Sequence, residues 1–147
     1  MPETPWLTEG AAIRDLLLGT RRIAVVGASD KPDRPSHGVL GFLLARGYDA
    51  VPVNPGLAGR EIQGRPVAAS LAEAGPLDMM DVFRRSAEAG AVVDEAIRLG
   101  ARSVWLQLGV TDPAAAARAR AAGLVMVMDR CPAIEWRRLG LPPRIGG

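Results

Sequence analysis

Arg22-Ile23-Ala24-Val25-Val26-Gly27-Ala28-Ser29 is the stretch on which the reading of this chain turns. The residues from Ile23 to Val26 are apolar without a polar alternation, the pattern of a strand buried on both faces of a parallel sheet. The run passes straight into Gly27, whose missing Cβ permits a sharp turn, and then into Ser29, which offers a hydroxyl and an amide where an anion sits beneath a following helix.

The same grammar repeats outward from this point. Upstream, residues 8–18 read as a short amphipathic helix with Thr8 as its cap, Ile13, Leu16 and Leu17 on one face, and Gly19 as its end. Downstream, a polar loop with prolines leads to a helix capped by Ser36 and carrying Val39, Leu40, Phe42, Leu43 and Leu44 as far as Gly47. A second strand spans 50–53 and ends in Asn54-Pro55-Gly56; an extended excursion to Pro66 and a short helix over 70–74 follow. Strands are then expected over 78–83, 103–108 and 124–128, separated by helices over 87–99 and 113–122 that stop at Gly100 and Gly123. The tail from Arg130 is expected to pack a short helix around Ile134 and Trp136 and then fray.

Alternating units of this kind, joined by right-handed crossovers, predict a Rossmann-type α/β fold: a doubly wound, parallel, five-stranded sheet with order 3-2-1-4-5 along the chain numbering. The 147 residues suit a single domain over 1–147, with an N-terminal helix in 1–20 and a C-terminal tail in 130–147.

Composition narrows the function classes. No apolar run approaches the roughly 18 residues of a membrane helix, and residues 1–7 show neither a basic region nor an apolar core of an export signal, so the chain reads as cytoplasmic with no membrane partner. Cys131 and His37 are the only residues of their types, which excludes an internal disulfide and argues against a metal site and most histidine-based catalysis. The net charge is only +2 and acids are interspersed among the arginines, so nucleic acid is not an expected partner.

In a doubly wound sheet, ligands bind outside the carboxyl ends of the strands. The loops there contain Gly27-Ala28-Ser29, Asn54-Pro55, Phe83-Arg84-Arg85-Ser86 and Gly109-Val110. Gly27, Gly38 and Gly41 do not make a G-x-G-x-x-G run, because residues 30–37 intervene. The second strand ends in Asn54-Pro55 where a NAD-binding domain carries an acid for the ribose hydroxyls. Lys31, Arg34, Arg84 and Arg85 instead place cations near the crevice, which suits a ligand richer in phosphate than NAD. His37 reads as a polar residue of a first helical turn. Cys131 reads as a small buried apolar residue, or else as a thiol able to exchange with a ligand disulfide. The tryptophans read as packing residues.

These residues carry a resemblance. Val25-Val26-Gly27-Ala28-Ser29, Gly38, Gly47-Tyr48 and Val51-Pro52-Val53-Asn54-Pro55 resemble the CoA-binding domain family, whose relatives include the N-terminal domain of the succinyl-CoA synthetase α subunit. The similarity continues through Gly64, Pro66, Ser70-Leu71, Asp81-Val82, Trp105-Leu106-Gln107 and Asp129-Arg130-Cys131-Pro132. It implies coenzyme A as cofactor, with Gly27, Ala28 and Ser29 at the diphosphate, Asn54 and Pro55 on the neighbouring wall, Phe83 against the nucleotide or pantetheine, and Gln107 and Gly109 in the loop after strand four. Arg34 and Arg84 are assigned to phosphate from charge and position alone. The synthetase's phosphorylated histidine belongs to a following ligase domain, so His37 does not inherit its role. The expected function is therefore a non-catalytic CoA or acyl-CoA binding protein acting as carrier, sensor or regulatory subunit. The alternatives are an NAD(P)-binding redox enzyme or sensor, and a synthetase subunit that needs a separate partner; homo-oligomerisation stays open.

Overall fold

The computed structural model describes residues 4–143; residues 1–3 and the last part of the tail expected to fray lie outside them. The elements run α1 (Gly10–Gly19), β1 (Arg22–Val26), α2 (Pro35–Ala45), β2 (Asp49–Val53), β3 (Glu61–Ile62), β4 (Arg65–Pro66) and α3 (Leu71–Ala74), then β5 (Met79–Val82), α4 (Ser86–Leu99), β6 (Ser103–Leu106), α5 (Pro113–Ala121), β7 (Val125–Val127) and α6 (Pro132–Arg138). A 3-10 turn at Pro55–Leu57 and the antiparallel pair β3–β4 occupy the excursion after β2.

The main sheet is parallel and five-stranded, in the order β2-β1-β5-β6-β7. This is a Rossmann-type doubly wound sheet, but the expected order 3-2-1-4-5 is wrong: the third long strand pairs with β1, not with β2. The reason is written in β2. Pro52 turns its backbone away from β1, where its carbonyl accepts from the Ala68 N–H at 3.0 Å. A proline has no N–H to give to a strand on that side, so β2 cannot be an interior strand and lies at the edge. The chain leaves β2, crosses through α3 to the far side of β1, and returns as β5.

Reversing direction at β1 also decides which helices cover which face, because every crossover is right-handed. α3, α4 and α5 pack on one face around Met80, Val82, Val104 and Leu106, whereas α1, α2 and α6 pack on the other around Ile23, Val25, Met79 and Trp105. Trp136 of α6 meets the rings of Phe42 and Tyr48 edge-on, at 6.3 and 5.8 Å between centroids, and so docks α6 onto α2. Before α1, the Leu7 N–H donates to the Met126 carbonyl at 2.8 Å, tying the N-terminal segment to β7.

Two expected helix starts shift. α2 begins at Pro35, whose fixed φ and absent N–H suit a first helical position, and Ser36 is buried inside the first turn instead of capping it. α1 begins at Gly10 behind Glu9, not at Thr8. Ser70 does cap α3, accepting from the Glu73 N–H at 3.2 Å, while Glu73 accepts from the N–H of Ala69, the residue before the cap, at 3.0 Å. The strands expected to end at Phe83 and Leu108 end at Val82 and Leu106, since the following residues leave the ladder to form the loops described next.

Candidate functional site

The switch in strand direction opens a crevice between the carboxyl ends of β1 and β5, and a cavity of about 890 Å³ lies there, roofed by α2 and α6. Its floor begins at Gly27. This residue has φ +83°, and a Cβ there would lie 2.6 Å from the Phe83 carbonyl oxygen, so only glycine lets the loop after β1 pass this close to the loop after β5. The Gly27 N–H is held by the Val53 carbonyl at 3.0 Å. Asn54 completes the brace: its Nδ2 donates to the Ala28 carbonyl at 2.8 Å and its Oδ1 accepts from the Gly56 N–H at 2.9 Å. The Nδ2 bond ties the loop after β2 to the loop after β1, and the Oδ1 bond closes the 3-10 turn at Pro55–Leu57. Ser29 accepts from the Lys31 N–H at 3.1 Å and starts the loop toward α2.

Of the ten residues singled out from sequence, Gly27, Ala28, Ser29, Arg34, Asn54, Phe83, Arg84 and Gln107 line this cavity. Pro55 and Gly109 do not. Pro55 opens the exposed 3-10 turn. Gly109 sits in a loop fastened by the Asp129 carboxylate, which accepts its N–H at 2.7 Å, and by Ser86 Oγ, which donates to its carbonyl at 3.3 Å.

The lining carries Lys31, Arg34, Arg84 and Arg137 and no carboxylate. Lys31 and Arg34 make no ion pair among the described residues, whereas Arg84 reaches Glu88 at 3.2 Å. Arg85, the fourth cation named from sequence, faces away and donates to Glu88 at 2.9 and 2.7 Å, holding that carboxyl below its usual range. The opposite wall is apolar: Val39, Val110, Cys131, Ala133, Leu108 and Ile134. His37 is turned to the β3–β4 pair, where its carbonyl accepts from Gln63 Nε2 at 3.1 Å.

Beneath the cavity lies Asp81, fully buried on β5. Burial pushes its carboxyl well above the ordinary aspartate range, and Gln107 Nε2, donating at 3.1 Å, opposes that shift only in part. Gln107 thus joins the buried acid below to the cavity that it lines.

Sequence reasoning missed the roof. Val39 and Phe42 of α2 and Ala133, Ile134 and Arg137 of α6 all face the cavity, with the Arg46 and Arg137 guanidinium groups 4.4 and 5.2 Å from the Phe42 ring centroid. One signal was available: Asp129-Arg130-Cys131-Pro132 follows the last strand at the cavity end, so the next helix has to start over it.

Fold and crevice together define a nucleotide-binding type of α/β domain. A family model described as CoA binding domain matches residues 21–137, and the chain belongs to that family. An uncharacterized protein of Bacillus subtilis (strain 168), YneT, is 38% identical over 122 residues, covering 82% of this chain and 89% of that one. The solved structure of cell-free ID.343 from Thermus thermophilus is 36% identical with a TM-score of 0.84, covering 90% of this chain and 99% of that chain. The dinucleotide-forming acetyl-coenzyme A synthetase 1 of Ca. Korarchaeum cryptofilum shares the fold at a TM-score of 0.63 and 21% identity, over 76% of this chain and 26% of that one.

Proposed function

We propose that this chain is a coenzyme A-binding protein that performs no catalysis of its own and serves as a carrier, sensor or regulatory subunit. One observation carries the reading: a cavity whose lining holds four cations and no carboxylate beside a largely apolar remainder. A ligand matching it has several phosphates at one end and an uncharged arm at the other. CoA has a diphosphate, a 3′-phosphate and a pantetheine arm. The diphosphate lies over Gly27 to Ser29 at the N-terminus of α2, within reach of Arg34 and Arg84, and the arm runs past Phe83 and Gln107 toward Cys131. NAD fits less well, since the cavity lining holds no carboxylate for a pair of ribose hydroxyls.

The test is thermal unfolding with CoA, dephospho-CoA, NAD and NADP in parallel, with mass spectrometry of any small molecule released from the purified protein. A ligand at about 100 times its Kd stabilises the native state by about 2.7 kcal/mol, a shift of several degrees for a domain of this size. CoA is expected to give that shift, dephospho-CoA a smaller one, and NAD and NADP little. An equal shift with NAD overturns the reading.

A further inference from the structure

We propose that a second, smaller cavity beside Cys131 receives the chain of a short, uncharged acyl group, so that the ligand held best is a straight-chain acyl thioester of CoA rather than the free thiol; this rests on reading the main cavity as the CoA site. The second cavity, of about 380 Å³, shares Leu108, Cys131 and Ile134 with the main one. These three residues form a common wall at the apolar end of the main cavity, the end opposite Lys31, Arg34 and Arg84. Leu108 and Ile134 are 57% and 48% exposed, and together they line both cavities, so they form a shared apolar patch and not two scattered side chains. A thioester arriving along the main cavity reaches that wall with its sulfur near Cys131, and its acyl chain continues beyond.

The lining of the second cavity also selects the chain. Its charged groups already have partners: the Asp129 carboxylate accepts from the Gly109 N–H at 2.7 Å, and the buried Glu135 accepts from Arg130 at 2.9 Å and from Arg138. What remains for a ligand to touch is largely apolar: Trp6, Leu108, Met128, Cys131 and Ile134, with Thr111 at the rim. Arg130, the cation of that lining, is paired to Glu135, which Arg138 also holds, so a carboxylate at the end of an acyl chain would be desolvated there without a free partner.

Calorimetric titration with CoA and with its acetyl, butanoyl, hexanoyl and succinyl thioesters tests this. Each methylene buried strengthens binding roughly threefold to fourfold, so the butanoyl thioester is expected to bind about tenfold tighter than the acetyl one and hexanoyl tighter again, with succinyl weaker than butanoyl. Thr111 lines the cavity and is exposed, and the only hydrogen bond it makes among the described residues is from its backbone N–H to Ser86 Oγ at 3.0 Å. Thr111→Trp is therefore expected to keep the melting temperature and the affinity for free CoA while abolishing the gain with chain length. If CoA binds but the thioesters bind equally or more weakly, or if the gain survives in Thr111→Trp, the acyl cavity is wrong and the CoA reading stands. If succinyl matches butanoyl, selection for an uncharged chain is wrong. If neither CoA nor any thioester binds, the underlying CoA reading itself fails.

Discussion

The two faces of the sheet are packed with different materials. The buried residues of α4 and α5 are Ala89, Ala96, Ala115, Ala116 and Ala119 with Val93 as the one larger side chain, and Gly90 approaches so near that a Cβ on it would sit 2.9 Å from Asp112 Oδ2. Under α1, α2 and α6 the face holds Trp105, Tyr48 and Trp136 together with the buried polar groups Asp81, Gln107 and Glu135. Small side chains let two helices close onto strands without gaps, at native density. Large rings and hydrogen-bonded polar groups cannot tile so completely, and the cavity lies on the side they occupy. A fold built from one repeated unit thus separates stability from binding by the size of the residues on each face.

The largest disruption of this contrast is expected at Gly27, where the cavity floor and the sheet meet. Gly27→Val combines a left-handed φ with overlap against a backbone carbonyl, and is expected to cost about 4 kcal/mol, read as a lower urea midpoint at unchanged slope. Next, one substitution placed on each face sharpens the comparison. Ala116→Leu overpacks the closed face and is expected to cost about 2 kcal/mol while sparing CoA affinity. Ala133→Leu points into the cavity roof, and is expected to leave the melting temperature within about 2 °C and weaken CoA at least about tenfold by calorimetry.

A smaller effect is expected at the rim. Arg34→Ala removes one exposed phosphate partner, weakening CoA by roughly tenfold and flattening the dependence of affinity on salt. The smallest concerns Asp81. Its folded pKa lies above its unfolded value, so the native state holds more protons, and the carboxyl subtracts stability progressively as pH rises from about 4 through the raised value. Asp81→Asn is therefore expected to raise the melting temperature by a few degrees at neutral pH and by nothing near pH 3. A gain of equal size at both values contradicts the assignment of a buried, uncompensated acid.

How much of this was legible depended on range. Ile23 to Val26 and the glycines after the helices are local signals, and they located the strands of the main sheet to within about two residues at each end. Pro52 carried the strand order equally plainly, as a proline that bars a neighbour on one side, but the expected order put it in an interior strand. Asn54 showed in sequence only that no acid was present; that it binds two loops together depends on Ala28, far away in the chain. Arg84 and Arg85 are adjacent and identical, and both pair with Glu88, yet only Arg84 lines the cavity, a distinction set by backbone direction and invisible in residue type. The roof was illegible for the same reason, since Phe42, Tyr48 and Trp136 find each other by packing and carry no local pattern.

The proline that makes β2 an edge also bears on how the molecule meets its own copies. An open row of backbone donors and acceptors at the rim of a sheet is a template on which another chain can add a strand. Here one rim is turned by Pro52 and taken up by the parallel bridge of Val53 to Ala68, and the other is engaged where Leu7 meets Met126. A second copy seeking to extend the sheet would first have to strip away segments of the first, so self-association, where it occurs, is steered to the helical faces and away from fibre-like stacking.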